Sequence, residues 1–145
     1  MCLNGRDIEE WGLTPWEGTY QTLMKPAPMK DLTKNENSSV HGTMLITTPS
    51  ARRYKAQDMS LMFYIDAKNI VDLDRRVQQL SADLVNGKKV NGSFTGVNEL
   101  TIPELGRTYR LTFNNQIEKF SVFGLTGAAT ISIKFHEPNP NNRAI

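Results

Sequence analysis

The chain has 145 residues, of which 39% are hydrophobic and 22% charged, so its composition is that of one globular domain with its own core. Its 17 basic and 15 acidic residues leave a formal net charge of +2, which argues against nucleic acid as the main partner because phosphate binding needs a concentrated basic surface. The single cysteine, Cys2, excludes an intramolecular disulfide and a cysteine-based zinc site.

The N-terminal segment predicts two short strands joined by a tight turn. Asn4-Gly5 is a strong signal for such a turn, because these residues tolerate the positive φ angles that a two-residue hairpin loop requires. A charged step and an aromatic-glycine-aliphatic step, Trp11-Gly12-Leu13, come next. We therefore expect a β-rich fold to begin within the first thirteen residues.

Two long polar segments, Lys25–His41 and Thr48–Asp58, predict loops. Between them, Thr43–Thr48 predicts a strand that stops at Pro49. The dense apolar run Met59–Ile65 then predicts a central strand buried on both faces of a sheet. Loops of this length inside a compact domain usually have a function or are disordered.

The segment Asn69–Asn86 predicts the one long helix of the chain. Its apolar residues recur every three or four positions and form one stripe, at Ile70, Leu73, Val77, Leu80 and Leu84. Asn69 is a suitable N-cap, and Gly87 supplies the residue that ends many helices. An isolated helix of this length is marginally stable in water, so we expect it to pack on a sheet.

The C-terminal half predicts strands again. Asn98–Ile102 is a short strand, and Ala129–His136 alternates apolar and polar residues as the last one. Between them, Thr108–Phe113 and Ile117–Phe123 predict a hairpin with its turn at Asn114-Asn115.

These elements together predict a mainly β fold with one helix (α+β), a β-sandwich or small barrel of about eight strands with a single flanking amphipathic helix. The domain is expected to span residues 1–136, with the helix near 69–86. Residues 137–145, rich in Pro and Asn, predict an extended C-terminal tail that is ordered only if a neighbour holds it.

No constellation of residues predicts catalysis. The two histidines, His41 and His136, lie far apart in sequence, without the spacing of a zinc motif. The glycines match neither a P-loop nor a dinucleotide-binding fingerprint. We therefore expect no enzymatic activity, no metal and no cofactor.

The opening residues Leu3-Asn4-Gly5-Arg6-Asp7 and Trp11-Gly12-Leu13, followed by the helix 69–86, resemble phage distal tail proteins and the related tail tube proteins of siphophage-type tails. The resemblance implies a tail-tube-like fold and a structural role in a phage or prophage tail, as a distal tail ring or a tail tube subunit. It implies a homo-oligomeric ring, the hexamer of that family, that contacts neighbouring tail proteins.

The resemblance also implies a location in the virion tail after synthesis in the host cytoplasm. We expect neither a secretory signal nor a membrane segment, because no stretch approaches the roughly 20 apolar residues that a membrane helix needs.

In such a ring the two long loops would contact a neighbouring subunit. The candidate subunit-interface residues are Met29, Leu32, His41, Arg52, Arg53 and Tyr54. The basic run Arg52-Arg53-Tyr54-Lys55 fits a subunit contact better than a nucleic-acid site, because it is short and isolated.

An alternative function is a carbohydrate- or surface-binding β-sandwich module. Trp11, Trp16 and Tyr20 would form its stacking platform, since aromatic side chains carry large contact area.

Overall fold

The computed structural model describes residues 1–29, 34–36, 43–45 and 54–144. Seven strands form one antiparallel sheet. Their spatial order is β2 (Arg6–Asp7), β1 (Cys2–Leu3), β9 (Val97–Ile102), β10 (Arg107–Val122), β11 (Ala128–Glu137), β6 (Gln57–Asp66) and β3 (Leu13–Pro15). Two small hairpins lie outside this sheet, β4 (Lys34–Glu36) with β5 (Thr43–Leu45) and β7 (Lys89–Val90) with β8 (Ser93–Phe94).

The sheet is curled and open, in the form of a half-barrel, and its concave face packs on the long helix α2 (Ile70–Asn86). The other helical elements are the six-residue helix α1 (Thr19–Met24) and two 3-10 turns at Ile8–Trp11 and Pro103–Leu105. The predicted mainly β fold with one flanking amphipathic helix is therefore confirmed. Helix α1 was not anticipated.

Helix α2 has the ends that its sequence predicts. The Asn69 side chain accepts a hydrogen bond from the backbone N–H of Asp72 at 2.9 Å, which makes Asn69 the N-cap. The helix ends at Gly87, whose φ is +72°. Four of the five predicted stripe residues are buried against the sheet, namely Leu73, Val77, Leu80 and Leu84.

The N-terminal hairpin is also confirmed. Asn4 and Gly5 both have positive φ, at 54° and 81°, and they join β1 to β2. Strand β1 then pairs on its other side with β9. The Asn4 side chain reinforces this pairing, since its oxygen accepts the Glu99 N–H at 2.8 Å.

The predicted hairpin with a turn at Asn114-Asn115 is wrong. Strand β10 runs without a break from Arg107 to Val122 and pairs with β11 on both sides of this asparagine pair. The register shifts between Phe113 and Ile117 and again between Ile117 and Lys119, so bulges absorb the extra residues. The real turn of this hairpin lies between β10 and β11, at residues 123–127.

The prediction that Met59–Ile65 is buried on both faces is also wrong. In β6, Met59, Leu61, Phe63 and Ile65 are buried, whereas the alternate residues are exposed or half-buried. This alternation is the pattern of a sheet with one covered face. The other face of β6 is consequently an accessible surface.

The predicted loops are only partly described. Residues 34–36 of the first loop form strand β4, so that part is wrong, whereas the described part of the predicted strand Thr43–Thr48 is β5. The strands predicted at 98–102 and 129–136 are confirmed as β9 and β11.

Candidate interaction surfaces

The structure brings together two of the six predicted interface residues. Met29 and Tyr54 form an isolated antiparallel bridge, and Met29 remains exposed. The other four lie outside the described residues, namely Leu32, His41, Arg52 and Arg53. Their predicted role in a subunit contact stays a prediction.

The C-terminal segment turns back onto its own sheet, unlike the extended tail that the sequence suggested. Asn142 N–H bonds to the Asn139 carbonyl and closes a turn. The Thr108 N–H then donates to the Arg143 carbonyl at 2.9 Å, which fixes the segment beside β10. The Asn141 oxygen also accepts the Tyr54 N–H at 3.3 Å.

A buried ion pair holds this segment in place. Arg143 donates to both oxygens of Glu137, with Nε–Oε2 and Nη2–Oε1 distances of 2.9 and 2.7 Å, and Glu137 is fully buried. The Gln57 amide donates to the same carboxylate, and the Arg143 guanidinium lies 4.8 Å from the Tyr109 ring centroid. The hydrogen bond to Glu137 raises the pKa of Arg143 above its ordinary value, because it favours the charged form.

The structure separates the three aromatic residues proposed as a stacking platform. Trp11 is buried, and its indole N–H donates to Asp83 on α2 at 2.8 Å, so it belongs to the core. Trp16 and Tyr20 are 40% and 38% exposed. The proposed platform therefore loses Trp11.

Trp16 instead belongs to a stack with Tyr64 and Phe123, which the sequence analysis did not connect with it. Its ring centroid lies 5.4 Å from that of Tyr64, which in turn lies 6.2 Å from that of Phe123. These three rings form an aromatic ladder on the convex face of the sheet. The alternation of Ser60, Met62 and Tyr64 with the buried residues of β6 was the signal that could have revealed this face.

An open strand edge lies next to the ladder. Strand β3 pairs with only three residues of β6, and the last backbone bond along this side joins the Trp16 N–H to the Met62 carbonyl. Because alternate residues of a strand bond to the same side, the backbone N–H and C=O of Ser60 and Asp58 point toward this edge. Within the described chain they have no strand partner there.

The open edge of β6 borders a cleft of about 600 Å³. On the side opposite β6 the cleft is lined by Thr22 and by Lys25, Pro26 and Pro28, which follow α1. An extended segment of another chain would meet unpaired backbone groups there.

A second recess, here named the apolar groove, has a volume of about 550 Å³ and runs between α2 and the end of β10. Its apolar lining residues are Ile70, Leu73, Val77, Ile117, Phe120 and Val122. The bulges in β10 bring Ile117 onto the same face as Phe120, contrary to the simple alternation assumed from sequence. With only Asp74 and Gln78 as polar lining residues, the groove offers apolar contact rather than acid-base chemistry.

One carboxylate has a strongly perturbed pKa. Asp72, in the first turn of α2, accepts hydrogen bonds from the Arg75 side chain, the Lys68 N–H and the Arg76 side chain. These donors hold the pKa of Asp72 well below its usual range. Because Asp72 caps and pairs within its own helix, the shift reflects helix stability and gives no evidence of a reactive group.

Within the described ranges, no three His, Cys, Asp or Glu side chains are grouped so as to hold a metal ion. No helix in this part of the chain is long and apolar enough to cross a bilayer. No family model, curated protein or solved structure matches the chain.

Proposed function

We propose that the protein is a structural subunit of a phage or prophage tail that assembles into a ring, as a distal tail ring or tail tube subunit, without catalysis. The observation that carries this proposal is the open edge of β6. An unpaired strand edge in a cleft is a natural place for a segment of a neighbouring subunit to add a strand. Head-to-tail contacts of this kind close into a ring when the rotation between subunits permits it.

The N-terminal resemblance supports the same assignment. The residues that carry it form the tight β1–β2 hairpin and the turn at Gly12, which lies against the backbone of Asp66 at the end of β6. The resembling segment is therefore an integrated part of the sheet. Its first part, strands β1 and β2, lies at one end of the strand order, and its last residue, Leu13, begins β3 at the other end.

Size-exclusion chromatography with light scattering, followed by electron microscopy, tests the proposal. We expect rings of uniform size, either from the purified chain at high concentration or after addition of the proteins encoded by adjacent tail genes. A strict monomer under both conditions would refute the ring. The gene order separates the two roles, because a tape-measure gene just upstream indicates the distal ring and one just downstream indicates the tube.

A matched pair of variants tests the edge itself. Ser60→Pro removes a backbone N–H that points to the open edge, and it leaves the hydrogen bonds to β11 intact. Ser60→Ala removes the same hydroxyl group, which bonds to Glu118, but keeps the N–H. We expect Ser60→Pro to abolish ring assembly and Ser60→Ala to preserve it. Equal assembly of both variants would contradict a role for this edge.

The aromatic ladder favours a second candidate function, binding of a carbohydrate or another surface polymer. Trp16 presents an exposed aromatic surface beside Tyr64, and sugars stack on such rings. A glycan array with the wild-type chain, Trp16→Ala and Phe94→Ala discriminates this function. Binding that is lost only in Trp16→Ala would favour it, because Phe94 is an exposed aromatic on the separate β7–β8 hairpin.

A further inference from the structure

Several exposed apolar side chains gather at one end of the molecule, around the turn between β10 and β11. This surface, here called the turn end, consists of Ile70, Val71, Phe120 and Leu125. Leu125 is the most exposed of them, at 88%.

The backbone holds this turn against the start of α2. The Ala67 N–H donates to the Gly127 carbonyl at 2.7 Å. A Cβ on Gly127 would collide with the Ala67 carbonyl oxygen and lie 2.9 Å from the Asn69 nitrogen, so the two segments are in direct contact. Leu125 is therefore carried on a turn fixed beside Ile70, the residue that begins α2 and lines the apolar groove.

The exposed apolar area of the turn end matches what a stable protein contact needs. The exposed fractions of its four side chains correspond to roughly 400 Å² of apolar surface, at about 200 Å² for a whole Phe and about 150 Å² for a whole aliphatic side chain. A standard interface buries about 800 Å² per partner, of which somewhat more than half, roughly 450 Å², is apolar. A patch this large on a monomer commonly marks an interaction site.

We propose that the turn end binds a second copy of this chain in a two-fold pair, with Leu125 of each copy inserted in the apolar groove of the other. A projecting apolar side chain and an apolar groove lie on the same surface here. In a two-fold contact, residue i of one copy meets residue j of the other and the reverse, so one surface of this kind is complementary to itself.

This pairing uses different residues from the open edge of β6 and does not require a ring. A head-to-tail ring needs two different surfaces, whereas the turn end supplies both halves of its own contact. If both contacts form, the turn end joins subunits in two-fold pairs, and the open edge of β6 joins subunits head to tail within a ring.

Sedimentation velocity tests the pair over a dilution series. The series starts at about 100 μM, which is well above a micromolar dissociation constant. Leu125→Asp places a charge at the projecting position, and Asp is well tolerated in turns. Ile70→Glu places a charge at the mouth of the groove, where the N-terminus of a helix favours an acidic residue. Val90→Asp, on the β7–β8 hairpin away from this end, is the matched control.

We expect the smallest associated species of the wild type to contain an even number of chains. The dissociation constant of the pair should rise at least about tenfold in Leu125→Asp and in Ile70→Glu. It should not change in Val90→Asp. A wild-type chain that stays monomeric at the highest concentration overturns the pairing. So does an unchanged dimer in both Leu125→Asp and Ile70→Glu, since two substitutions on opposite sides of the contact cannot both be neutral. Dissociation by Ser60→Pro alone assigns the association to the strand edge and also overturns the pairing.

Discussion

Removal of the Arg143 side chain tests how much the C-terminal segment stabilises the sheet. In Arg143→Ala, the fully buried Glu137 carboxylate keeps one hydrogen bond, from Gln57, and loses its only countercharge among the described residues. Breaking a buried ion pair by removing one partner costs about 3–5 kcal/mol. The contact of the guanidinium with the Tyr109 ring is lost as well. We therefore expect the free energy of unfolding to fall by about 3 kcal/mol.

Urea unfolding followed by circular dichroism measures this loss. With a slope near 2 kcal/mol per molar urea, the midpoint should fall by about 1.5 M. Arg75→Ala is the matched control, because Arg75 also pairs with a carboxylate, that of Asp72, but is 73% exposed. An exposed pair contributes about 0–1 kcal/mol. If Arg143→Ala lost no more stability than Arg75→Ala, the stabilising role of the buried pair would be refuted.

Two further predictions concern the start of α2. Gly127→Ala should lower the free energy of unfolding by about 2 kcal/mol, because its Cβ would overlap the Ala67 carbonyl, and thermal unfolding should show a melting temperature lower by about 5 °C. The pKa of Asp72 is lowered in the folded state, so the ionised carboxylate stabilises the fold. This stabilisation is present above the pKa of Asp72 in the unfolded chain, about 4, and is lost as the pH falls through the pKa in the folded state. The drop in urea midpoint between pH 6 and pH 3 should be smaller in Asp72→Asn, and an equal drop in both proteins would contradict the sign of this effect.

The long helix and the regular strands could be predicted because local signals agree with the tertiary structure. The stripe of α2, its Asn69 cap and Gly87 are all readable within one segment. The alternation of β11 and the Asn4-Gly5 turn are equally local. In each case the residues that decide the structure lie within a few positions of one another.

The features that failed depend on contacts distant in sequence. Asn114-Asn115 reads as a turn, but β11 pairs with β10 on both sides of it, from Thr112 to Val122, and bulges accommodate the asparagines. The polar composition of 137–145 reads as a loose tail, whereas the Arg143 carbonyl accepts the Thr108 N–H and the Asn141 side chain accepts the Tyr54 N–H. Neither outcome has a local signal strong enough to oppose the tertiary contact.

The candidate surfaces were harder to predict than the fold. The predicted interface relied on loop composition, and only Met29 and Tyr54 of it fall within the described residues. The open edge of β6 follows from which strands pair, and the apolar groove follows from bulges in β10. Both are consequences of register, which composition alone does not encode.

The pairing of β1 with β9 has a consequence for how the chain reaches its native state. Asn4 and Asn98 are hydrogen-bonded although they are 94 residues apart, so the first strand is synthesised long before its partner. At translation rates of about 5–20 residues per second, the nascent N-terminus waits for roughly 5–20 s. Closing so large a loop is also slow kinetically. We therefore expect the N-terminal strand to be a late addition during folding, and shielding of Leu3 by a chaperone in that interval to raise the yield of native protein.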